Sequence, residues 1–233
     1  MIPPCPDRAS LLAAIAHDPR LGPLYARVAR AMDDDPGHDL AHVVRVALWT
    51  LRLADASVDP DEAIAAALLH DIVNVPKDSP DRARASERCA ELAAAWLPDH
   101  GFAADAIARI SDAIRDHSWS RGARPTTALG LALQDADRLE ALGVIGLFRC
   151  LSTGVRMGAR YFDDDDPWAV RGRALDDKAF SVDHLFTKLF GLPDTMNTAA
   201  GRAEAHRRAA YLRETIAQLG DEIGEPPPLR LTR

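Results

Sequence analysis

DPDEAIAAALLHDIVNVP, residues 59–76, decides the fold. Asp59 can cap a helix, Pro60 suits the first helical position, where its missing N–H has no partner to lose, and Glu62 can reach back in a capping box. Residues 63–73 are almost entirely apolar and rich in Ala and Leu, so this predicted helix is apolar all round and belongs in the core. Within it stands His70-Asp71, just ahead of Asn74-Val75-Pro76. Neighbouring residues point about 100° apart on a helix, so both side chains reach one ion only at a helix end or groove. An imidazole and a carboxylate on a buried helix are costly unless their charge is compensated, and a metal ion compensates it.

Outward from this stretch, helical periodicity dominates and strand alternation is almost absent. Residues 39–54 place His42, Val46, Trp49 and Leu53 on one stripe. Ser79-Pro80 starts a helix that runs to about residue 97, ahead of Pro98, and further helices are predicted over 103–116 and 126–142. Residues 144–157 read as a helix, whole or broken, and 163–167 as a solvated acidic loop. A short helix over 183–190 and a long one over 200–219, ending at Gly220, complete the pattern. The expectation is an all-α, single-domain helical bundle with a metal site between core helices. It has an N-terminal helical extension (1–30), a main domain (31–220) and a disordered tail (221–233).

Composition narrows the function. The chain has 233 residues, 47% hydrophobic and 27% charged, enough for a full core and typical of a folded protein. A net charge of −7 argues against a nucleic-acid footprint, while leaving room for small anionic substrates beside a local cation. Cys5, Cys89 and Cys150 form no CxxC pair, which fits neither a disulfide framework nor a zinc knuckle and points to a reducing compartment. No apolar run approaches the ~18 residues needed to span a bilayer, and residues 1–10 lack a signal-peptide pattern. The expectation is a cytoplasmic protein with no membrane or nucleic-acid partner. No segment reads as a dedicated dimer interface.

Four features carry chemistry: His38-Asp39 with His42, the His70-Asp71 doublet, Asp116-His117, and Asp135-Ala136-Asp137. A lone buried histidine is more often a hydrogen-bonded core residue, and an aspartate at a helix end more often a cap. Two histidines and two aspartates on apolar-faced helices together would leave several charges unsatisfied, and one divalent cation removes that problem. Mixed imidazole and carboxylate donors suit Mn²⁺, Fe²⁺, Co²⁺, Ni²⁺ or Zn²⁺ better than Ca²⁺.

The order His…His-Asp…Asp on helices resembles the HD-domain superfamily of metal-dependent phosphohydrolases. The strings GHDLAHVVRV (37–46), ALLHDIVNVPKDSPDRARAS (67–86), IRDHSWS (114–120) and QDADRLEALGVIGLFRC (134–150) resemble small stand-alone bacterial HD proteins of the YedJ/YpgQ type. DDKAFSVDHLFTKLFGLP (176–193) and MNTAAGR (196–202) extend the likeness, which covers roughly residues 30–220. It implies one divalent metal ion, Mn²⁺ foremost or Mg²⁺, Fe²⁺, Co²⁺, Ni²⁺ or Zn²⁺, held by His42, His70, Asp71 and Asp137. Asp135 competes for the last place; Asp137 is preferred because the family's final aspartate stands before a basic residue and Leu, as in Asp137-Arg138-Leu139. Arg45 resembles an arginine that ties the first ligand's helix to its neighbours. Some relatives carry a glutamate four residues after the doublet histidine; here that position is Asn74. Asp71, Asp78 and His117 are therefore the candidates for catalytic roles.

Lys77, Arg82 and Arg84 are the candidate substrate-binding residues, a clamp for phosphate charge beside a helix N-terminus, although Arg82, Arg84, Glu87 and Arg88 also read as a solvated helix face. The resemblance implies a small phosphorylated substrate, a nucleotide, and most specifically hydrolysis of an NTP or dNTP to NMP and pyrophosphate by a metal-activated water. Two alternatives stand beside it. One is a dinuclear enzyme, a phosphodiesterase or di-iron oxygenase, drawing on His100 and His117. The other is a non-catalytic nucleotide-binding module.

Overall fold

The computed structural model describes residues 7–32, 39–73, 84–118 and 121–228. They are predominantly helical, as the sequence predicts, and β pairing among them is confined to one isolated bridge between Arg160 and Phe180. The chain groups into two compact units, Met1–Asp137 and Arg138–Arg233.

The first unit holds α1 (Arg8–His17), α2 (Leu21–Ala31), α3 (Leu40–Leu53), α4 (Pro60–Leu69), α5 (Ala85–Trp96), α6 (Ala104–Asp116) and α7 (Ala128–Leu139) up to Asp137; a 3₁₀ turn, Leu97–His100, joins α5 to α6. α4 is the central rod. Every residue from Ala63 to Leu69 is fully buried, and α2, α3, α5 and α6 pack around it. Each Leu or Ile buried this way contributes about 1.5–3 kcal/mol over exposure. The N-terminal segment forms α1 and α2, and Leu21, Leu24 and Val28 of α2 are fully buried.

The start of α4 follows the sequence in part. Asp59 accepts hydrogen bonds from the amides of Asp61 (2.8 Å) and Glu62 (3.1 Å), with Pro60 in the first helical turn. Glu62 does not close the expected capping box. Its carboxylate receives Arg109 Nε (2.9 Å) and Nη2 (2.6 Å) from α6, because a bidentate guanidinium offers more than one backbone amide. α4 also stops earlier than the apolar run suggests: His70 is its C-cap residue, and residues 71–73 leave the helix. On α3 the predicted stripe is present, with His42, Val46 and Leu53 buried and Trp49 half-buried, but the buried arc is wider and takes in Val43, Val44, Ala47 and Thr50. The helix expected from residue 80 is described from Ala85 onward; its earlier part lies outside the described residues.

The second unit continues from α7 into α8 (Gly143–Arg156), α9 (Ser181–Thr187), a 3₁₀ segment (Leu189–Thr195) and α10 (Ala199–Ile223). The acidic loop is only partly solvated. Asp166 is buried and accepts hydrogen bonds from the amides of Val170 and Arg171, both at 2.8 Å. Beside it Arg173 makes a bidentate pair with the fully buried Asp183, its Nη2 2.8 Å from Oδ1.

The long helix does not end at Gly220 but at Gly224, whose φ of 73° is the left-handed conformation that closes helices. Gly220 serves a different purpose: a Cβ there would come within 3.0 Å of the Glu225 carbonyl oxygen. Residues 221–223 are thus helical rather than part of a disordered tail, and Glu225 is tied down by Trp168 Nε1, which donates to its carbonyl at 2.7 Å. No described helix is long and apolar enough to cross a membrane.

Candidate metal centre

Four side chains from three places in the first unit converge. His42 comes from the first turn of α3, His70 and Asp71 from the end of α4, and Asp137 from the last turn of α7. One donor atom from each lies within 4.8 Å of all the others. His42 Nε2 stands 3.6 Å from Asp71 Oδ2 and 3.6 Å from Asp137 Oδ1. His70 Nε2 stands 3.6 Å and 3.8 Å from the same two oxygens. Both imidazoles are fully buried, whereas the Asp71 and Asp137 side chains keep 23% and 26% exposure, so the cluster opens to one side.

Local structure aims each donor. Asp39 caps α3 by accepting the His42 amide at 2.8 Å, which fixes the turn that carries His42. His70 Nδ1 lies 2.7 Å from the Ala67 carbonyl oxygen, so Nδ1 donates its proton there and Nε2 is the nitrogen turned to the carboxylates. Because His70-Asp71 stands where α4 unwinds, the two side chains escape the divergence that a continued helix would impose. The chain beyond is anchored by Cys89 of α5, whose Sγ accepts the Val73 amide at 3.4 Å.

The donor set suits a cation. His70 Nε2 is buried and has no hydrogen-bond partner, a costly state for a ring nitrogen. Ligands about 2.1 Å from one ion stand roughly 3–3.4 Å apart, a few tenths of an ångström inside the spacings seen here. The electrostatics agree. Burial alone would push the His70 imidazolium down, but the Asp71 carboxylate, followed by Asp137, outweighs it and holds His70 up at about 9. Burial likewise opposes ionisation of both aspartates, yet the facing imidazoles, His70 first, hold Asp71 and Asp137 well below the usual carboxylate range.

Among the other expected residues, His117 belongs to this neighbourhood. It is buried at the C-cap of α6, its Nδ1 lies 2.6 Å from the Ile114 carbonyl oxygen, and its Nε2 faces Asp71 Oδ1 at 3.7 Å. Asp135, the competitor for the last ligand place, is fully buried but outside the cluster. His100 stands in the 3₁₀ turn before Gly101 and also lies outside it. Arg45 is half-buried on α3. Arg84 is mostly exposed, with Nε 3.8 Å from Glu87 Oε2. Lys77, Asp78 and Arg82 lie outside the described residues.

Sequence reasoning missed Gln134. Its buried Nε2 donates to the carbonyl oxygens of Asp116 (3.0 Å) and Ala123 (3.1 Å), bracing α7 against the turn that carries His117. A glutamine on an apolar helix face one turn before the final aspartate was the available signal.

Residues 39–142 match the family model of the HD domain. That match and the clustered donor set make the chain similar to the HD superfamily of metal-dependent phosphohydrolases. The chain is also similar to YpgQ of Bacillus subtilis (strain 168), 29% identical over 194 residues, which cover 82% of this chain and 87% of YpgQ. The crystal structure of YpgQ in complex with ADP has a TM-score of 0.66 at 27% identity, covering 86% of this chain and 93% of that one. A predicted HD superfamily hydrolase from an uncultured Thermotogales bacterium has a TM-score of 0.61 at 28% identity, covering 91% and 98%.

Proposed function

We propose that the chain hydrolyses nucleoside triphosphates, NTP or dNTP, to the monophosphate and pyrophosphate in the cytoplasm, with Mn²⁺ as the preferred ion. The observation that carries this reading is the pair of buried imidazole Nε2 atoms facing two partly open carboxylates at 3.6–3.8 Å. The ADP complex of YpgQ supports a nucleotide as the class of ligand.

A divalent ion held by His42, His70, Asp71 and Asp137 supplies a Lewis acid for a phosphoryl oxygen and lowers the pKa of water to near neutral. Water attacks the α-phosphorus, the bond from that phosphorus to the α–β bridging oxygen breaks, and pyrophosphate leaves with the bond's electron pair. The chain's own residues hold the geometry. The Ala67 carbonyl orients the His70 ring, Asp39 fixes the α3 turn, and His117 orients Asp71 through its other carboxylate oxygen, Oδ1. Lys77, Arg82 and Arg84 neutralise the remaining phosphates, and Asp78 or His117 moves the proton.

The test is a panel of NTPs, dNTPs, NMPs and cyclic nucleotides with Mn²⁺, reading pyrophosphate and orthophosphate separately. Pyrophosphate from triphosphates, lost in Asp137→Ala, is the expected result. Orthophosphate from monophosphates would move the substrate, and nucleotide binding without turnover would favour the non-catalytic reading.

One observation favours a second reading, a dinuclear centre. Asp71 turns Oδ2 to His42 and His70 and Oδ1 to His117, the posture of a carboxylate shared between two ions. Two metal equivalents per chain, one lost in His117→Ala, would establish it.

A further inference from the structure

Two arginines of the first unit stand apart from others near them. Arg27, Arg109 and Arg115 each close on a carboxylate at 2.6–3.1 Å. Arg84 and Arg121 do not. Arg84, at the N-cap of α5, brings its Nε only to 3.8 Å from Glu87 Oε2. Arg121, from the segment after α6, brings Nη1 to 3.6 Å from the other oxygen of the same carboxylate, Oε1, and to 3.7 Å from Asp116 Oδ1. These spacings exceed a hydrogen bond. Arg121 Nη1 donates to the Arg115 carbonyl at 3.3 Å, while Nε and Nη2 have no acceptor among the described residues.

Given the triphosphate hydrolysis proposed above, on which this rests, we infer that Arg84 and Arg121 form a clamp for the β- and γ-phosphates, the pair that leaves as pyrophosphate. Glu87 occupies the gap between them until the substrate arrives. It faces two guanidiniums and hydrogen-bonds neither, because one carboxylate is too narrow to span them. A diphosphate carries its oxygens on two tetrahedral centres, wide enough for both forks to bond at once, and guanidinium matches phosphate oxygens bidentately. The gap is open to a ligand: the side chains of Arg84, Glu87 and Arg121 are 65%, 39% and 28% exposed.

Both flanks of the clamp are tied to the metal centre. On the α6 side, His117 follows Asp116 directly and faces Asp71 Oδ1 at 3.7 Å. Arg121 comes four residues after His117, so their Cα atoms are at most about 14 Å apart. On the α5 side, Cys89 stands two residues after Glu87, and its Sγ accepts the amide of Val73, two residues beyond Asp71. The sequence offers Arg84 as a phosphate ligand; Arg121 is added by the carboxylate that the two share.

The test is calorimetric binding of inorganic pyrophosphate to the full chain, with Mn²⁺ and again in chelator, for wild type, Arg121→Ala and Glu87→Gln. Arg121→Ala should weaken binding roughly 10–100-fold under both conditions, the scale of lost charge-assisted hydrogen bonds, with metal content and circular dichroism unchanged. Glu87→Gln should tighten it about two- to fivefold, the scale of a partly exposed ion pair, because the competing anion is gone. The opposite signs decide the matter, since residues that only join α5 to α6 would weaken binding in both variants or in neither. Wild-type affinity in Arg121→Ala, or weaker binding in Glu87→Gln, would overturn the clamp. The expected pattern in a chain that hydrolyses no triphosphate would overturn the reaction and uphold the clamp.

Discussion

His70 and His117 are built alike. Each occupies the C-cap of its helix, and each places Nδ1 against the carbonyl oxygen three residues back, that of Ala67 at 2.7 Å and that of Ile114 at 2.6 Å. Their rings meet edge-on with centroids 4.9 Å apart. One device thus aims both Nε2 atoms at Asp71. Replacing His117 with Ala should lower turnover about 10–100-fold, the usual effect of removing a group that orients a metal ligand. Metal content measured on the same sample separates an orienting role, in which content is unchanged, from a second ligand site, in which it halves.

Protons and metal compete at His70. Its folded value of about 9 against an ordinary 6.5 means that the metal-free protein holds this imidazole protonated at neutral pH. Metal uptake near pH 7.5 should therefore release about one proton per ion, seen as a calorimetric enthalpy that changes with the ionisation heat of the buffer. An enthalpy independent of buffer would contradict this electrostatic picture.

The same shift fixes a stability profile. A raised histidine contributes stability that is complete below its unfolded value of 6.5 and is lost as pH rises through about 9. The depressed aspartates, Asp71 and Asp137, contribute in the opposite sense: their stability is present above 3.8 and is lost as pH falls through their lowered folded values. In chelator, Tm should fall between pH 6.5 and 9; with Mn²⁺ at about 100 times its Kd, the fold gains about 2.7 kcal/mol and that alkaline slope flattens. A chelated protein with a flat Tm across this range would count against it.

Gln134 ties α7 to the turn before His117 through two carbonyl bonds. Gln134→Ala leaves both buried acceptors without a donor and should cost about 1–3 kcal/mol in urea unfolding. It should also slow turnover, because Asp137 rides on the same helix one turn away. Asp59→Ala is the control. Loss of the α4 cap should cost about 1 kcal/mol while turnover at saturating metal stays unchanged.

Much of this was legible in the sequence. Asp59, Pro60 and the apolar run after them specify α4, and the convergence of His42, His70, Asp71 and Asp137 follows the pattern of the family the sequence resembles. What escaped depends on contacts between distant segments. Glu62 left its capping box for Arg109, forty-seven residues away. Gly220 read as a helix stop but is a close-approach point, because left-handed φ and tight packing both select glycine and only the fold distinguishes them. Asp166 read as solvated because an acidic run usually is, yet two backbone amides bury it.

Metal content of the purified chain, loaded with Mn²⁺ and desalted, tests the central claim most directly when wild type, His70→Ala and Asp137→Ala are run together. At least one equivalent is expected in wild type, with the ion lost from both variants and turnover lost with it. Variants that keep the ion at wild-type level while remaining folded would contradict it, and these side chains would then be structural.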